Sequence, residues 1–269
     1  MKKSFVFFIG LGLVLWSNPV AAQLFGNFNL FSIQDDIQLG KQVEAEIAKN
    51  TQEYPILEEA RYPVAYRELR RIRDEILQSG MVKYRQNFEW KLYIIHDDKT
   101  LNAFVTPGGY IYVYTGLIKY LDNEDQLAGV MGHEIGHADQ RHSTRNMTKQ
   151  YGVSFVLGMI LGRNPGQLGQ IVGALSGNLA GLKFSRDMEE EADAYSVKYL
   201  ARTRYQCNGA AGFFEKILSQ GSGKEPPQFL STHPSSQTRV RDINQRAQEE
   251  GCSTKLSGQP YEVLKNSLP

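Results

Sequence analysis

Residues 125–141 restrict the fold more than any other stretch, because an apolar helical stripe there carries two histidines four positions apart. Leu127, Val130, Met131 and Ile135 recur at helical spacing, Asp122 or Asn123 can cap the start, and Glu124 and Asp125 stand in the first turn, where the helix dipole favours anions. His133 and His137 lie about 40° apart around such a helix, so both imidazoles leave one face and can chelate one ion. Glu134 points elsewhere and suits general-base work on a water that the ion activates. His133-Glu134-Ile135-Gly136-His137 therefore predicts one catalytic Zn2+, with the histidines as ligands and Glu134 as the catalytic base. His142 falls nine residues after His133, about 180° around a continuing helix, and is expected outside the site.

A catalytic zinc keeps three protein ligands and one open position, so a further donor is required. Phe184 to Tyr195 reads as a helix that starts near Ser185 or Asp187, with Glu189 and Asp193 at i and i+4 on one face. Spacing alone leaves two readings open for this acidic start. It is either a solvated cap or a ligand with a supporting carboxylate.

His133-Glu-x-x-His137 followed by Glu189-x-Glu191-Ala192-Asp193 resembles the gluzincin branch of zinc metalloproteases that includes the CAAX prenyl endopeptidases, the HtpX-type heat-shock proteases and the periplasmic BepA-like proteases. The resemblance covers most of the chain, including Asn102-Ala103-Phe104 to Gly116-Leu117 and Thr232-His233-Pro234 with Arg239 six residues after His233. It implies an α+β, mainly helical metalloprotease domain with a small sheet beside the metal helix. It also implies Glu189 as third ligand and Asp193 as the support of a histidine, while Glu190 and Glu191 are not carried over. His233 would bind the oxyanion of the tetrahedral intermediate or occupy the open position of the metal, and Arg239 would be a buried clamp. Membrane-embedded relatives have long apolar helices, which this sequence lacks after its first residues, so prenylated substrates are not expected. Nor does the chain leave room for a tetratricopeptide array after Cys252.

The N-terminus supplies the compartment. Lys2-Lys3, an apolar run from Phe5 to Trp16 and small residues ending at Ala22 read as a signal peptide over 1–22, which directs the remaining single domain, 23–269, to the periplasm. In an oxidising compartment Cys207 and Cys252 are expected to pair. A formal net charge of +1 with scattered basic residues excludes an electrostatic case for nucleic acid. The arginines from Arg67 to Arg73 are expected on the wet face of a helix.

Two amphipathic helices are expected around Ile33–Ile47 and Tyr66–Ile76, followed by strands at Phe88–Ile94 and Tyr110–Thr115 joined to a short arm at Asn102–Val105. That arm is either an ordinary hairpin strand or an open edge for an extended peptide. His96 is expected at the surface. The glycine-rich aliphatic stretch 152–181 is expected to cover the cleft and offers a membrane-surface contact. These features together predict an exported zinc metalloendopeptidase acting on polypeptides, such as misfolded envelope proteins. The rival is a chaperone-like protein that holds clients in the same cleft.

Overall fold

The computed structural model describes residues 28–160, 166, 169, 171–173, 183–219, 227–234 and 237–269; the expected leader and most of 152–181 lie outside them. Helices α1 (Ile33–Lys49) and α2 (Pro63–Leu77) precede strands β1 (Leu92–Ile95), β2 (Ala103–Thr106) and β3 (Tyr110–Tyr114). Then come α3 (Thr115–Tyr120), α4 (Glu124–Asp139), α5 (His142–Ile160), α6 (Arg186–Leu200), α7 (Gly209–Ser219), α8 (Phe229–Thr232), α9 (Gln237–Glu249) and α10 (Tyr261–Lys265). The chain is mainly helical with one small sheet, as its periodicity predicts. None of the described helices is long and apolar enough to cross a membrane.

The sheet runs β1-β3-β2, with β1 parallel and β2 antiparallel to β3. Pro107-Gly108-Gly109 closes the β2–β3 hairpin, and both glycines take positive φ, 78° and 85°, which a side chain would resist. Alternation along β3 sorts two cores. Ile111 and Val113 join Leu92, Ile94, Ala103 and Val105 on the face towards α2 and α4. Tyr110, Tyr112 and Tyr114 join Phe104 and Ile95 on the opposite face, against Leu39, Val43 and Ile47 of α1.

Sequence periodicity misses in two places. The strand expected from Phe88 begins only at Leu92, because Trp90 adopts φ 47° and its ring packs over Gly109. Along α2, Arg67 is exposed as expected, but Arg71 reaches in to bond both carboxylate oxygens of buried Glu124, at 2.8 and 2.6 Å. This ties the base of α4 to α2.

Asn123 caps α4 by accepting from the Gln126 backbone N–H. Every residue of α4 except Gln126 is buried, so this helix is enclosed rather than amphipathic. Its glycines allow that enclosure. A Cβ at Gly129 would fall 2.0 Å from the Ala210 nitrogen of α7, and one at Gly136 would fall 3.1 Å from the Ala192 oxygen of α6.

Cys207 and Cys252 form the expected disulfide, which links the approach to α7 with the end of α9 across 45 residues. Closing a loop of that length restricts the unfolded chain by about 4 kcal/mol. Reduction is therefore expected to lower the thermal midpoint by roughly 8–16 °C, read by calorimetry with and without reductant, and an unchanged midpoint would contradict this.

Candidate active site

Helix α4 supplies His133, Glu134 and His137, helix α6 supplies Glu189 and Asp193, and His233 follows α8. Donor atoms of His133, His137, Glu189 and His233 all lie within 4.8 Å of one another, and all four residues are buried. His133 Nε2 lies 3.0 Å from His137 Nε2 and 3.2 Å from His233 Nδ1. The Glu189 carboxylate lies 3.5 Å from each of the two α4 imidazoles and 3.0 Å from His233 Nδ1.

The helix pairing explains the convergence. Glycine at 136 lets α6 approach, Ser196 Oγ donates to the Gly129 carbonyl at 2.9 Å, and the Glu189 turn then faces the histidines. His133 Nδ1–H donates to Asp193 Oδ1 at 2.9 Å, which leaves Nε2 turned towards the cluster. Arg239 holds the two carboxylates from behind, with 2.7 Å bonds to both Asp193 oxygens and a 3.0 Å contact to Glu189 Oε2. Phe184 stacks on His137 at 4.2 Å and Phe229 on His233 at 4.5 Å.

Burial would depress the His133 imidazole, but hydrogen bonds and charge from Asp193 and Glu189 outweigh it and raise His133 to about 9. His137 is pushed well below the ordinary histidine value by burial and by the His133 imidazole. Burial opposes ionisation of Glu189, yet His233 and His133 hold its carboxyl far below the usual range. Burial raises Glu134, whose Oε1 has no hydrogen-bond partner among the described residues and sits 3.6 Å from His233 Nε2.

This donor set fits a zinc ion. Four donors about 2.0–2.1 Å from a common tetrahedral centre lie roughly 3.3 Å apart; five of the six donor pairs are separated by 3.0 to 3.5 Å, and the whole set lies within 4.8 Å. Two buried carboxylates, Glu189 and Asp193, share one guanidinium, Arg239, and a third, Glu134, lies in the same pocket, which therefore has room for a further positive charge. Zn2+ would supply it.

Of the other candidate residues, Glu190 is exposed, as is His96. His142 is not among the clustered donors, but it lies closer to them than a position across the helix would allow. The argument that placed it outside the site assumed a continuing helix, but α4 stops at Asp139 and Arg141 turns back with φ 57°, so His142 Nδ1 comes to 2.8 Å from His137 Nδ1. Glu191, set aside in the sequence, bonds His142 Nε2 at 3.0 Å and Arg145 at 2.8 Å. The available signal was the Arg141-His142 pair, four and five residues after His137. Phe184 and Phe229 carried no pattern at all.

A small sheet beside an enclosed helix bearing His-Glu-x-x-His, with a glutamate presented by a second helix, defines a gluzincin-type metalloprotease domain. Residues 63–247 match the model of peptidase family M48, and the chain belongs to that family. It is 35% identical over 185 residues to the beta-barrel assembly-enhancing protease of Escherichia coli K12, covering 64% of this chain and 37% of that one. It is 34% identical over 171 residues to the mitochondrial metalloendopeptidase OMA1 of Schizosaccharomyces pombe, covering 63% of this chain and 49% of that one. It is 33% identical over 165 residues to the metalloprotease YcaL of Escherichia coli K12, covering 58% and 61%. The chain thus spans only a little over a third of the length of the first of these relatives.

Proposed function

We propose that this chain is an exported zinc metalloendopeptidase that hydrolyses peptide bonds in envelope proteins. The observation that carries the reading is the buried convergence of His133, His137 and Glu189 beside a Glu134 carboxylate oxygen that has no hydrogen-bond partner among the described residues. His133, His137 and Glu189 would hold the zinc, and Asp193 with Arg239 fixes His133 and Glu189 from behind. A bound zinc ion supplies Lewis acidity, which lowers the pKa of water towards about 7 and polarises a peptide carbonyl. Glu134, raised by burial, takes the proton of the attacking water and passes it to the leaving amine. His233 stands at the fourth corner of the donor set.

Export rests on the Lys2-Lys3 and Phe5–Trp16 leader and on a disulfide suited to an oxidising compartment. A role in envelope quality control, in the periplasm, is supported by the name of the beta-barrel assembly-enhancing relative.

Metal analysis of three variants tests the ligand set. Asp193→Ala should lower zinc affinity or activity roughly 10- to 100-fold and Glu189→Ala by more, whereas Glu190→Ala, on the exposed side of α6, should keep its zinc. Loss of zinc from Glu190→Ala with retention in Glu189→Ala would overturn the assignment.

A further inference from the structure

His133 has a carboxylate behind it, and His137 does not. Behind His137 stands a second imidazole, and behind that an anion: His137 Nδ1 to His142 Nδ1, 2.8 Å; His142 Nε2 to Glu191 Oε2, 3.0 Å; Arg145 Nη1 to the same oxygen, 2.8 Å. Two facing ring nitrogens form a hydrogen bond only when one carries the proton and the other a lone pair, so the direction of this row matters.

The far end sets the direction. Arg145, whose guanidinium can only donate, bonds Glu191 Oε2 at 2.8 Å and pairs with it as a carboxylate, so Glu191 accepts and His142 Nε2, 3.0 Å from the same oxygen, donates. A neutral His142 then presents a lone pair at Nδ1. It accepts the proton of His137 Nδ1, and His137 Nε2 is left bare towards His133 and Glu189. The reversed row would put a proton on His137 Nε2, where a metal ligand needs its lone pair.

The local backbone is built for this contact. Arg141 holds φ 57°, a left-handed conformation that residues other than glycine rarely adopt. Its guanidinium is fixed by buried Asp36 and by the carbonyls of Phe31 and Ser32 at the start of α1. The turn that results ends α4 and starts α5 with His142 aimed back at His137.

We propose that His142 and Glu191 are positioning residues that fix the His137 tautomer for metal binding, in a row one imidazole longer than the His133–Asp193–Arg239 row. This rests on the zinc site proposed above, and zinc affinity is the readout that separates the two.

The test is competition between the protein and a zinc chelator for wild type, His142→Leu, His142→Asn and Glu191→Ala. Leucine fills similar space without an acceptor and is expected to weaken zinc binding about 10- to 100-fold, as loss of a ligand's hydrogen-bond partner does elsewhere. Asparagine places an acceptor oxygen where Nδ1 stood and is expected to restore most of the affinity. Glu191 is only half-buried, so Glu191→Ala will fold and is expected to weaken binding by less than His142→Leu. If wild type binds no zinc, the metal reading fails. If wild type binds zinc and His142→Leu binds it equally well, or if Asn is as impaired as Leu, the positioning role alone is overturned.

Discussion

Glu134→Gln is expected to reduce peptide hydrolysis at least about a hundredfold while bound zinc stays near one ion per chain. The amide has the shape of the carboxylate but cannot take the proton of the attacking water. Glu134 Oε1 has no hydrogen-bond partner among the described residues, so the substitution breaks no hydrogen bond on that oxygen and the loss should fall on chemistry. Peptidase assays beside metal analysis decide the matter: a variant that lost its zinc would make Glu134 a ligand. The same variant weighs the rival reading, since a client-holding protein would keep its effect in cells without hydrolysis.

His233→Ala separates two roles by sign. His233 Nδ1 stands 3.0 Å from Glu189 Oε1 and 3.2 Å from His133 Nε2, which is where an attacking water would have to stand. This placement supports occupation of the open position of the metal, and the basal rate of the alanine variant is then expected to rise. If about 99% of wild-type molecules hold this arrangement, the gain approaches about a hundredfold. An oxyanion donor would instead cost about 2.7–4 kcal/mol, a loss of a hundredfold or more. Rates measured at matched zinc occupancy read the sign directly, and an unchanged rate removes His233 from both roles.

Local periodicity made part of this molecule legible. The stripe through Leu127, Val130 and Ile135 marked α4, Asp122 or Asn123 marked its start, and the four-residue spacings of His133 with His137 and Glu189 with Asp193 marked which side chains could share a face. What spacing could not show was where a helix ends for reasons outside it. Arg141 leaves the helical region because Asp36, 105 residues earlier, holds its guanidinium, and that single dihedral carries His142 from the far side of a helix to the back of His137. Trp90 is similar: alternation ran on from Phe88, but its backbone takes φ 47° where its ring packs over Gly109 in the β2–β3 turn. Both misses come from tertiary contacts overriding a local pattern.

The enclosure of α4 has a consequence for how this site can be lost. Protein surfaces fray, and segments with few buried contacts open at a fraction of the global unfolding free energy. Helix α4 has no such exposed flank, being packed by α2, α6, α7 and β2. The two histidines therefore cannot detach by a local excursion, and heat inactivation that displaces them must pass through the main unfolding barrier. The durability of the metal-bearing helix is that of the domain itself, so inactivation measured over time should report an unfolding rate rather than the wear of an exposed loop.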